Sequence, residues 1–187
     1  MPHDGRVTLP SFSTLTSLPA TEHPDAVAPP VAAALAGWAG AAEVAVVEID
    51  PGLADTAAFC AHYEISMDDG ANCVIVQARR GERTGYAAVL VRGSDRADVN
   101  RVVRRHLAAR KLSFASMDDA VALSGMEYGG ITPVGLPADW PILVDESVAG
   151  HERLIVGSGI RGSKLLVTGA FLAGLPNAEV LRLAQPA

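Results

Sequence analysis

Short apolar runs separated by glycine, proline or charged residues recur along the chain and are its main structural signal. Runs rich in β-branched residues predict strands at 43–49, 72–78, 86–91, 141–145, 153–157, 164–168 and 179–183. The segment R-R-G-E-R-T-G between two of these runs predicts a hairpin. Helical spacing predicts helices at 31–38, 53–63, 96–109 and 117–123, and one helical turn at 170–173. Hairpins with helices inserted between them favour an α/β (α+β) fold with a mixed sheet or partial barrel.

Length and composition indicate one globular domain with a substantial core. Residues 1–24 mix Ser, Thr and Pro with few apolar positions and predict an extended or poorly ordered N-terminal arm, which leaves 25–187 as a single domain. No apolar run reaches the roughly eighteen residues of a membrane span, and no secretory signal is visible. The two cysteines, Cys60 and Cys73, fit a reducing compartment. These features predict a cytoplasmic protein without a membrane partner.

The acidic balance bears on nucleic-acid binding. A net charge of −6 and a pI of about 5.3 argue against binding to long nucleic acid through phosphate neutralisation. A protein that takes only the end of a nucleic acid needs no more than a local basic patch. The predicted helix 96–109 places Arg101, Arg104 and Arg105 on one side. A solvated charged face is the usual interpretation of such a side, and a small phosphate-contacting patch is the alternative.

The stretch from Ser124 to Leu136 reads S-G-M-E-Y-G-G-I-T-P-V-G-L, with four glycines and one proline in thirteen residues. Glycine reaches backbone angles that other residues avoid and lets a ligand approach the main chain. Pro133 fixes its own φ and restricts Thr132 before it. The stretch predicts a shaped loop whose backbone N–H groups face a ligand. A tight connection between a helix and a strand explains the same glycines.

Three segments carry a family resemblance: G-G-I-T-P-V-G-L at 129–136, I-L-V-D at 142–145 and L-I-V-G-S-G-I-R-G at 154–162. Together they resemble the YbaK/EbsC family, the aminoacyl-tRNA deacylases related to the editing domain of prolyl-tRNA synthetases. The resemblance extends over about residues 50–184. It implies a curved, mixed, mostly antiparallel sheet or partial barrel with helices packed outside. We therefore expect the strands at 72–78, 86–91, 142–145, 153–157 and 164–168 to lie in one sheet.

The resemblance also implies an activity, in which water hydrolyses the ester of a mischarged aminoacyl-tRNA. The expected partner is a tRNA acceptor end that carries an aminoacyl group, with no metal or other cofactor. The implied catalytic residues are Asn72, Gly130 and Asp145. The implied substrate-binding residues are Gly129, Ile131, Thr132, Pro133, Gly157, Ser158, Gly159, Arg161 and Lys164. We expect Asn72, Gly130, Thr132, Asp145 and Ser158 to converge on one concave site.

One position departs from the family pattern. The family usually carries a lysine at the start of the strand that corresponds to 72–78, and this chain has Asn72 there. Asparagine can orient a carbonyl or a water but offers no charge to a developing oxyanion. Lys164 or Arg161 is a candidate replacement. Without such a replacement, the same pocket is expected to bind an aminoacyl-adenosine-like or other small ligand without turnover, and a different hydrolase remains a third interpretation.

Other chemistries receive less support from the sequence. The segment 157–162 matches G-x-G-x-x-G after a strand, but a strand pattern follows it where a dinucleotide site needs a helix. A turn between two strands is the better interpretation. Cys60 and His62 are two residues apart, so a helix would direct them to different sides. The five histidines are scattered without metal-ligand spacing.

Overall fold

The computed structural model describes residues 11–186. The strands are β1 Leu18–Pro19, β2 Ala45–Glu48, β3 Ala71–Arg80, β4 Arg83–Arg92, β5 Asp95–Ala97, β6 Lys111–Phe114, β7 Ile142–Asp145, β8 Leu154–Gly157, β9 Ser163–Val167, β10 Ala178–Leu181 and β11 Ala184–Pro186. The α-helices are α1 Pro29–Ala36, α2 Thr56–His62, α3 Arg104–His106, α4 Met117–Ser124, α5 Glu146–Ala149 and α6 Gly169–Ala173. Across residues 11–186, every helix is too short or too polar to cross a bilayer.

Most strands belong to two sheets. The four-stranded sheet has the order β1-β2-β9-β8 and is antiparallel throughout. The five-stranded sheet has the order β10-β7-β4-β3-β6, with parallel pairing of β4 to β7 and of β7 to β10. Its other two pairs are antiparallel, and β5 and β11 form a separate antiparallel ribbon. The expected mixed, mostly antiparallel α/β architecture is confirmed.

The expectation that five named strands share one sheet is wrong, because β8 and β9 lie in the four-stranded sheet. The reason is that both edges of β3 are occupied, one by β4 and the other by β6. The run K-L-S-F that forms β6 is short and half polar, so its pattern does not indicate a strand. A parallel bridge between Gly70 and Ile155 links the two sheets at one corner.

The unbroken apolar run of β2 reflects burial on both faces. Val46 belongs to the main core cluster, which joins residues of both sheets to α1 and α6. Its neighbours Ala45 and Val47 point the other way and pack with Phe59 of α2. The four-stranded sheet is thus covered on both sides, and α2 is held at a fixed position beside it.

Residues 11–24, which the sequence pattern assigns to an extended or poorly ordered arm, pack onto the domain. Phe12 is buried, and the guanidinium of Arg153 lies 4.4 Å from the centre of its ring. Leu18 in β1 pairs with Val46 in β2. The rest of the expected arm, residues 1–10, lies outside the described residues.

The predicted helix 96–109 is confirmed for residues 99–106 and is wrong at both ends. Asp95–Ala97 pairs with β11, because Asp98 N–H donates to the carbonyl of Leu183 at 2.9 Å and holds the segment extended. The Asp98 carboxylate then accepts a hydrogen bond from the Arg101 amide at 3.0 Å and starts a π-helical segment, Val99–Val103. Only the short helix α3 follows it.

Candidate active site

A cavity of about 560 Å³ opens beside the corner where the two sheets meet. It is walled by the start of β3, the segment before α2, the glycine loop, the end of β8 and the middle of β9. Its polar and charged wall residues are Asp55, Thr56, Asn72, Arg161 and Lys164. The site is therefore assembled from segments that lie up to about a hundred residues apart in the chain.

Lys164 brings a buried ammonium group to this cavity. The residue is 5% exposed, and its Nζ donates a hydrogen bond of 2.5 Å to the carbonyl oxygen of Ala54. Nζ also lies 5.8 Å from the centre of the Phe59 ring. Burial lowers the pKa of Lys164, the Asp55 carboxylate raises it in part, and the Arg161 guanidinium lowers it further. A buried lysine with a lowered pKa at a cavity wall is typical of a functional site.

Asn72 lies on the same wall and is held by Thr56. The Thr56 hydroxyl donates a hydrogen bond of 2.7 Å to Asn72 Oδ1. This bond fixes the orientation of the amide and leaves Nδ2 as a donor without an acceptor among residues 11–186. Asn72 and Lys164 together present N–H donors from two different sheets to one cavity.

The glycine loop contributes Gly129 and Ile131 to the wall. Gly125 ends α4 in the left-handed conformation, with φ of 67°, and Gly129 has φ of 86°. The Gly130 amide donates to the Glu127 carbonyl at 3.0 Å, so it is already used. The amides of Gly129 and Ile131 have no acceptor within the described part of the chain. Because both residues line the cavity, their N–H groups are candidates for contact with a ligand.

Gly130 itself serves a different purpose from the one expected, because it packs against the turn that follows β8. A Cβ atom on Gly130 would lie 2.5 Å from the carbonyl oxygen of Ile160, and a Cβ on Gly157 would overlap the Gly130 carbonyl. The Gly159 amide donates to that same carbonyl at 2.7 Å. The glycines therefore allow two backbone segments to touch, and Gly130 is not on the cavity wall.

Arg161 holds the glycine loop in place through hydrogen bonds to its backbone and to neighbouring segments. Its guanidinium donates to the carbonyls of Pro51 and Tyr128, at 2.8 and 3.4 Å. Its backbone amide donates to the Glu127 carboxylate at 2.7 Å. Arg161 thus links the loop, the turn and the segment before α2, and its charge remains at the cavity wall.

Comparison with known proteins places this architecture in a family. Residues 50–175 match the model of the aminoacyl-tRNA editing domain. The chain belongs to this family. The matched residues contain the polar wall of the cavity, from Asp55 to Lys164, so the cavity lies within the editing domain.

Two curated relatives are similar to parts of the editing domain. "Putative Cys-tRNA(Pro)/Cys-tRNA(Cys) deacylase EbsC" of Enterococcus faecalis is 22% identical over 99 residues, which are 53% of this chain and 60% of the relative. A proline–tRNA ligase of Lactobacillus gasseri is 38% identical over 73 residues, which are 37% of this chain and 12% of the ligase. The matches thus span less than two thirds of either relative.

Solved structures confirm the fold of the editing domain. A crystal structure described as "a putative trans-editing enzyme for prolyl tRNA synthetase" superposes with a TM-score of 0.72 at 22% identity. The superposition covers 84% of this chain and 96% of that one. At this identity the match shows a common architecture, and the site has to be argued from its own residues.

Several residues expected in the pocket of the editing domain lie outside the cavity. They are Gly130, Thr132, Pro133, Asp145, Ser158 and Gly159. Of the five residues expected to converge on one concave site, Asn72 lines the cavity together with part of the glycine loop, and the other four are not among the lining residues. The expected substrate-binding residues that do line the cavity are Gly129, Ile131, Gly157, Arg161 and Lys164.

Asp145 is the clearest correction. It is 3% exposed, and one carboxylate oxygen accepts from the amide and the hydroxyl of Ser147 at the start of α5. The other oxygen accepts from the amides of Leu183 and Ala184, both at 2.8 Å. Each carboxylate oxygen thus already accepts two hydrogen bonds from other groups of the protein. Asp145 ties the end of β7 to α5 and to the C-terminal segment, and it offers nothing to a ligand.

Thr132 and Ser158 are also buried in the structure behind the cavity. Thr132 is fully buried, and its hydroxyl has no partner among the described residues. The Ser158 hydroxyl donates to the carbonyl of Ser163 at 2.9 Å, across the turn that joins β8 to β9. Ser158 therefore stabilises this turn, which the sequence predicts between two strands.

Some cavity residues carry no signal in the sequence pattern. Asp55 falls inside the predicted helix 53–63, and in the structure it is the N-cap of α2, where its carboxylate accepts hydrogen bonds from the amides of Ala57 and Ala58. Thr56 is a first-turn helix residue, and Phe114, Met117 and Tyr128 are isolated apolar residues. Tertiary contacts alone bring them to the cavity.

The thiols of the editing domain are poor nucleophiles. Burial raises the pKa of Cys73 to about 12 although Cys73 lines the cavity. Burial also raises the pKa of Cys60, with Lys164 offsetting part of the rise. Both thiols are therefore protonated near pH 7. Within residues 11–186, no three potential ligands among His, Cys, Asp and Glu are grouped to hold a metal ion.

Proposed function

We propose that the protein is an aminoacyl-tRNA deacylase, which hydrolyses the ester between a wrongly attached amino acid and the 3′ end of a tRNA. Membership of the editing-domain family supports this activity. A relative is named as a Cys-tRNA(Pro)/Cys-tRNA(Cys) deacylase, and its name supports the substrate class. The observation that carries the proposal is the buried ammonium of Lys164 at the wall of a cavity that Asn72 also lines.

The chemistry of ester hydrolysis explains why this arrangement is useful. Water adds to the ester carbonyl carbon, and negative charge develops on the carbonyl oxygen before the bond to the ribose oxygen breaks. The proton of the water ends on the leaving ribose hydroxyl. Donors fixed in place before the reaction stabilise that charge most strongly. Lys164 Nζ, Asn72 Nδ2 and the amides of the glycine loop are such donors.

In this proposal Lys164 takes the place of the lysine that the family usually carries at position 72. A charge supplied from β9 in place of β3 still reaches the cavity, because Lys164 and Asn72 both line it. The Ala54 carbonyl and the Phe59 ring hold the ammonium, and they leave Nζ with further N–H donors. Asn72 is then a neutral group that orients the carbonyl or the attacking water.

Arg161 and the turn after β8 complete the site. The Arg161 guanidinium supplies positive charge to the tRNA end while its bonds to Pro51 and Tyr128 keep it in place. Gly157 at the end of β8 limits the width of the cavity and so sets which aminoacyl group fits. The proposed reaction needs no metal or other cofactor, and we propose that it takes place in the cytoplasm, where tRNA is charged.

A panel of mischarged tRNAs tests the proposal. The protein is added at a concentration well below that of the tRNA, and release of the amino acid is followed. We expect several turnovers per protein molecule on at least one member of the panel. Lys164→Met should abolish the turnover, while Arg96→Met, an exposed change outside the cavity, should retain it.

The second candidate is a binding module that holds an aminoacyl-adenosine-like ligand without turnover. The neutral Asn72, whose carbonyl is already bonded to Thr56, favours it. Saturable binding of a non-hydrolysable aminoacyl-adenosine, together with no turnover on any tRNA of the panel, would establish this candidate and refute the deacylase.

A further inference from the structure

Basic residues are concentrated where β3 and β4 are joined. Arg80 lies opposite Arg83 in the hairpin register, and Arg79 lies opposite Lys111 in β6. The amide of Arg110 donates to the Arg79 carbonyl at 2.8 Å, which adds a fifth basic residue. We call Arg79, Arg80, Arg83, Arg110 and Lys111 the basic tip. All five are exposed, and the whole chain has 15 lysines and arginines.

The basic tip is not neutralised by its own surroundings. Cross-strand pairs of like charge destabilise a sheet, and here two such pairs are adjacent. No residue of the tip forms an ion pair within residues 11–186. The acidic residues beside it are Glu82 in the turn and Asp139 in a neighbouring groove. A positive patch of this kind in a chain of net charge −6 indicates an anionic partner.

Strand β6 connects the basic tip to the cavity. Lys111 is at its tip end, and Phe114, three residues further, lines the cavity. At the rise of a β-strand the two are about 10 Å apart. Phe114 is 64% exposed and Tyr128, also on the cavity wall, is 60% exposed. Exposed aromatic rings beside a cavity are platforms on which unpaired bases stack.

We propose that the edge formed by β6 and the basic tip is the RNA-binding surface of this protein. The unpaired 3′ end of the RNA stacks on Phe114 and Tyr128 as it enters the cavity, and phosphates of the adjoining stem contact the basic tip. Four of the five tip residues are arginines, whose planar guanidinium matches phosphate oxygens. This inference rests on the proposed function for the identity of the RNA, a tRNA acceptor arm.

A charge-neutralising pair of variants tests the basic tip. Arg80→Gln/Arg83→Gln removes two charges from the tip, and Arg96→Gln/Arg182→Gln removes two exposed charges elsewhere as the matched control. Binding to uncharged tRNA is measured at several salt concentrations. We expect the tip variant to bind about tenfold more weakly and to show a salt dependence that is shallower by about one to two in log–log slope. The control should bind as the wild type does.

A second pair of variants tests the aromatic rings. Phe114→Ala removes a ring at the cavity, and Leu123→Ala removes an exposed apolar side chain that does not line the cavity. Binding to a short single-stranded oligonucleotide that ends in CCA should weaken about tenfold in the first variant, since one stacked base is lost. The second variant should bind normally.

The outcomes separate this inference from the deacylase activity. On an aminoacylated tRNA the tip variant should have a higher KM than the wild type. The increase in KM should be smaller on an aminoacylated CCA oligonucleotide, which lacks the stem. Wild-type binding and KM in the tip variant would overturn the RNA surface and leave the deacylase in place. Tip-dependent tRNA binding without hydrolysis would support the surface and remove the deacylase. Binding of the tip to anionic vesicles or acidic proteins, but not to tRNA, would also overturn the inference.

Discussion

The ammonium of Lys164 and the carbonyl of Ala54 are joined by a hydrogen bond of 2.5 Å. This contact holds the ammonium of Lys164, in β9, next to the segment that begins α2, in the cavity that Asn72 also lines. In the proposed mechanism this ammonium supplies the positive charge that the family resemblance implies for a lysine at position 72.

Restoring the family lysine should harm this protein. In Asn72→Lys the new ammonium would share the cavity with that of Lys164. The Thr56 hydroxyl would also lose the acceptor that Asn72 Oδ1 provides. Two ammonium groups in a poorly solvated cavity repel each other. We expect kcat/KM on the best mischarged tRNA to fall at least tenfold.

The double variant Asn72→Lys/Lys164→Ser provides the control for this prediction. It carries one ammonium, in the position that the family uses, and should recover part of the lost kcat/KM. An increase in kcat/KM in Asn72→Lys alone would mean that Lys164 does not supply the catalytic charge.

Gly130 should be sensitive to substitution through folding, because its Cβ would lie 2.5 Å from the Ile160 carbonyl oxygen. We expect Gly130→Ala to lower the free energy of unfolding by about 1–3 kcal/mol, as overpacking does. Gly162→Ala is the matched control, since a Cβ there meets no atom within 4 Å. Denaturant unfolding measures both. If the Gly130→Ala protein had wild-type stability and bound the ligand more weakly, Gly130 would have to lie on the cavity wall.

Asp145 should contribute to stability in a pH-dependent manner. Burial raises the pKa of Asp145, but hydrogen bonds from Ser147, Leu183 and Ala184 outweigh this and hold it below its ordinary value. The stabilisation is therefore complete above the unfolded-state pKa of about 3.9 and is lost as pH falls through the folded-state pKa.

Asp145→Asn can satisfy one side of this network only, because its NH₂ group cannot accept a hydrogen bond. At pH 7 we expect the free energy of unfolding to fall by on the order of 3 kcal/mol, and the difference from wild type to shrink below about pH 4. Asp139→Asn, an exposed change, should have no effect. Intact stability combined with lost deacylation in Asp145→Asn would argue for a direct catalytic role.

The sequence predicts the parts of the fold that depend on local pattern. The β3–β4 hairpin, the strands β7 and β10 and the glycine loop all follow from apolar runs and turn residues, whereas the parallel pairing of β7 and β10 does not. The pattern fails where distant contacts decide the outcome. Asp98 holds its segment in a ribbon through Leu183, and the four-residue β6 gains its strand conformation from β3.

The candidate site shows the same division. The loop and the turn after β8 are recognisable from the residues themselves, and only the family resemblance points to Asn72. The proximity of Lys164 to Asn72 and Ala54 depends on the meeting of two sheets, which no local pattern encodes. The family resemblance implied a site role for Asp145 at the end of a strand, and in the structure the same position makes it an N-cap for α5. A polar residue at a strand end serves either purpose, and only its partners distinguish them.

The pH dependence of deacylation should report the protonation of Lys164. Burial lowers its pKa below that of an ordinary lysine, near 10.4. If the ammonium is required, kcat/KM falls as pH rises through this lowered pKa, after correction for spontaneous ester hydrolysis. Lys164→Arg keeps its charge to a much higher pH and should lack this decline. A kcat/KM that rises through the same range would indicate that the neutral amine acts as a base.

The most direct test of the account is the single-turnover rate of deacylation by wild type and Lys164→Met, with each protein saturated by the same mischarged tRNA. We predict that tRNA binding is retained in the variant and that the rate falls at least a hundredfold, as the loss of a main oxyanion donor does. An unchanged rate in Lys164→Met would contradict the central claim that Lys164 supplies the catalytic charge.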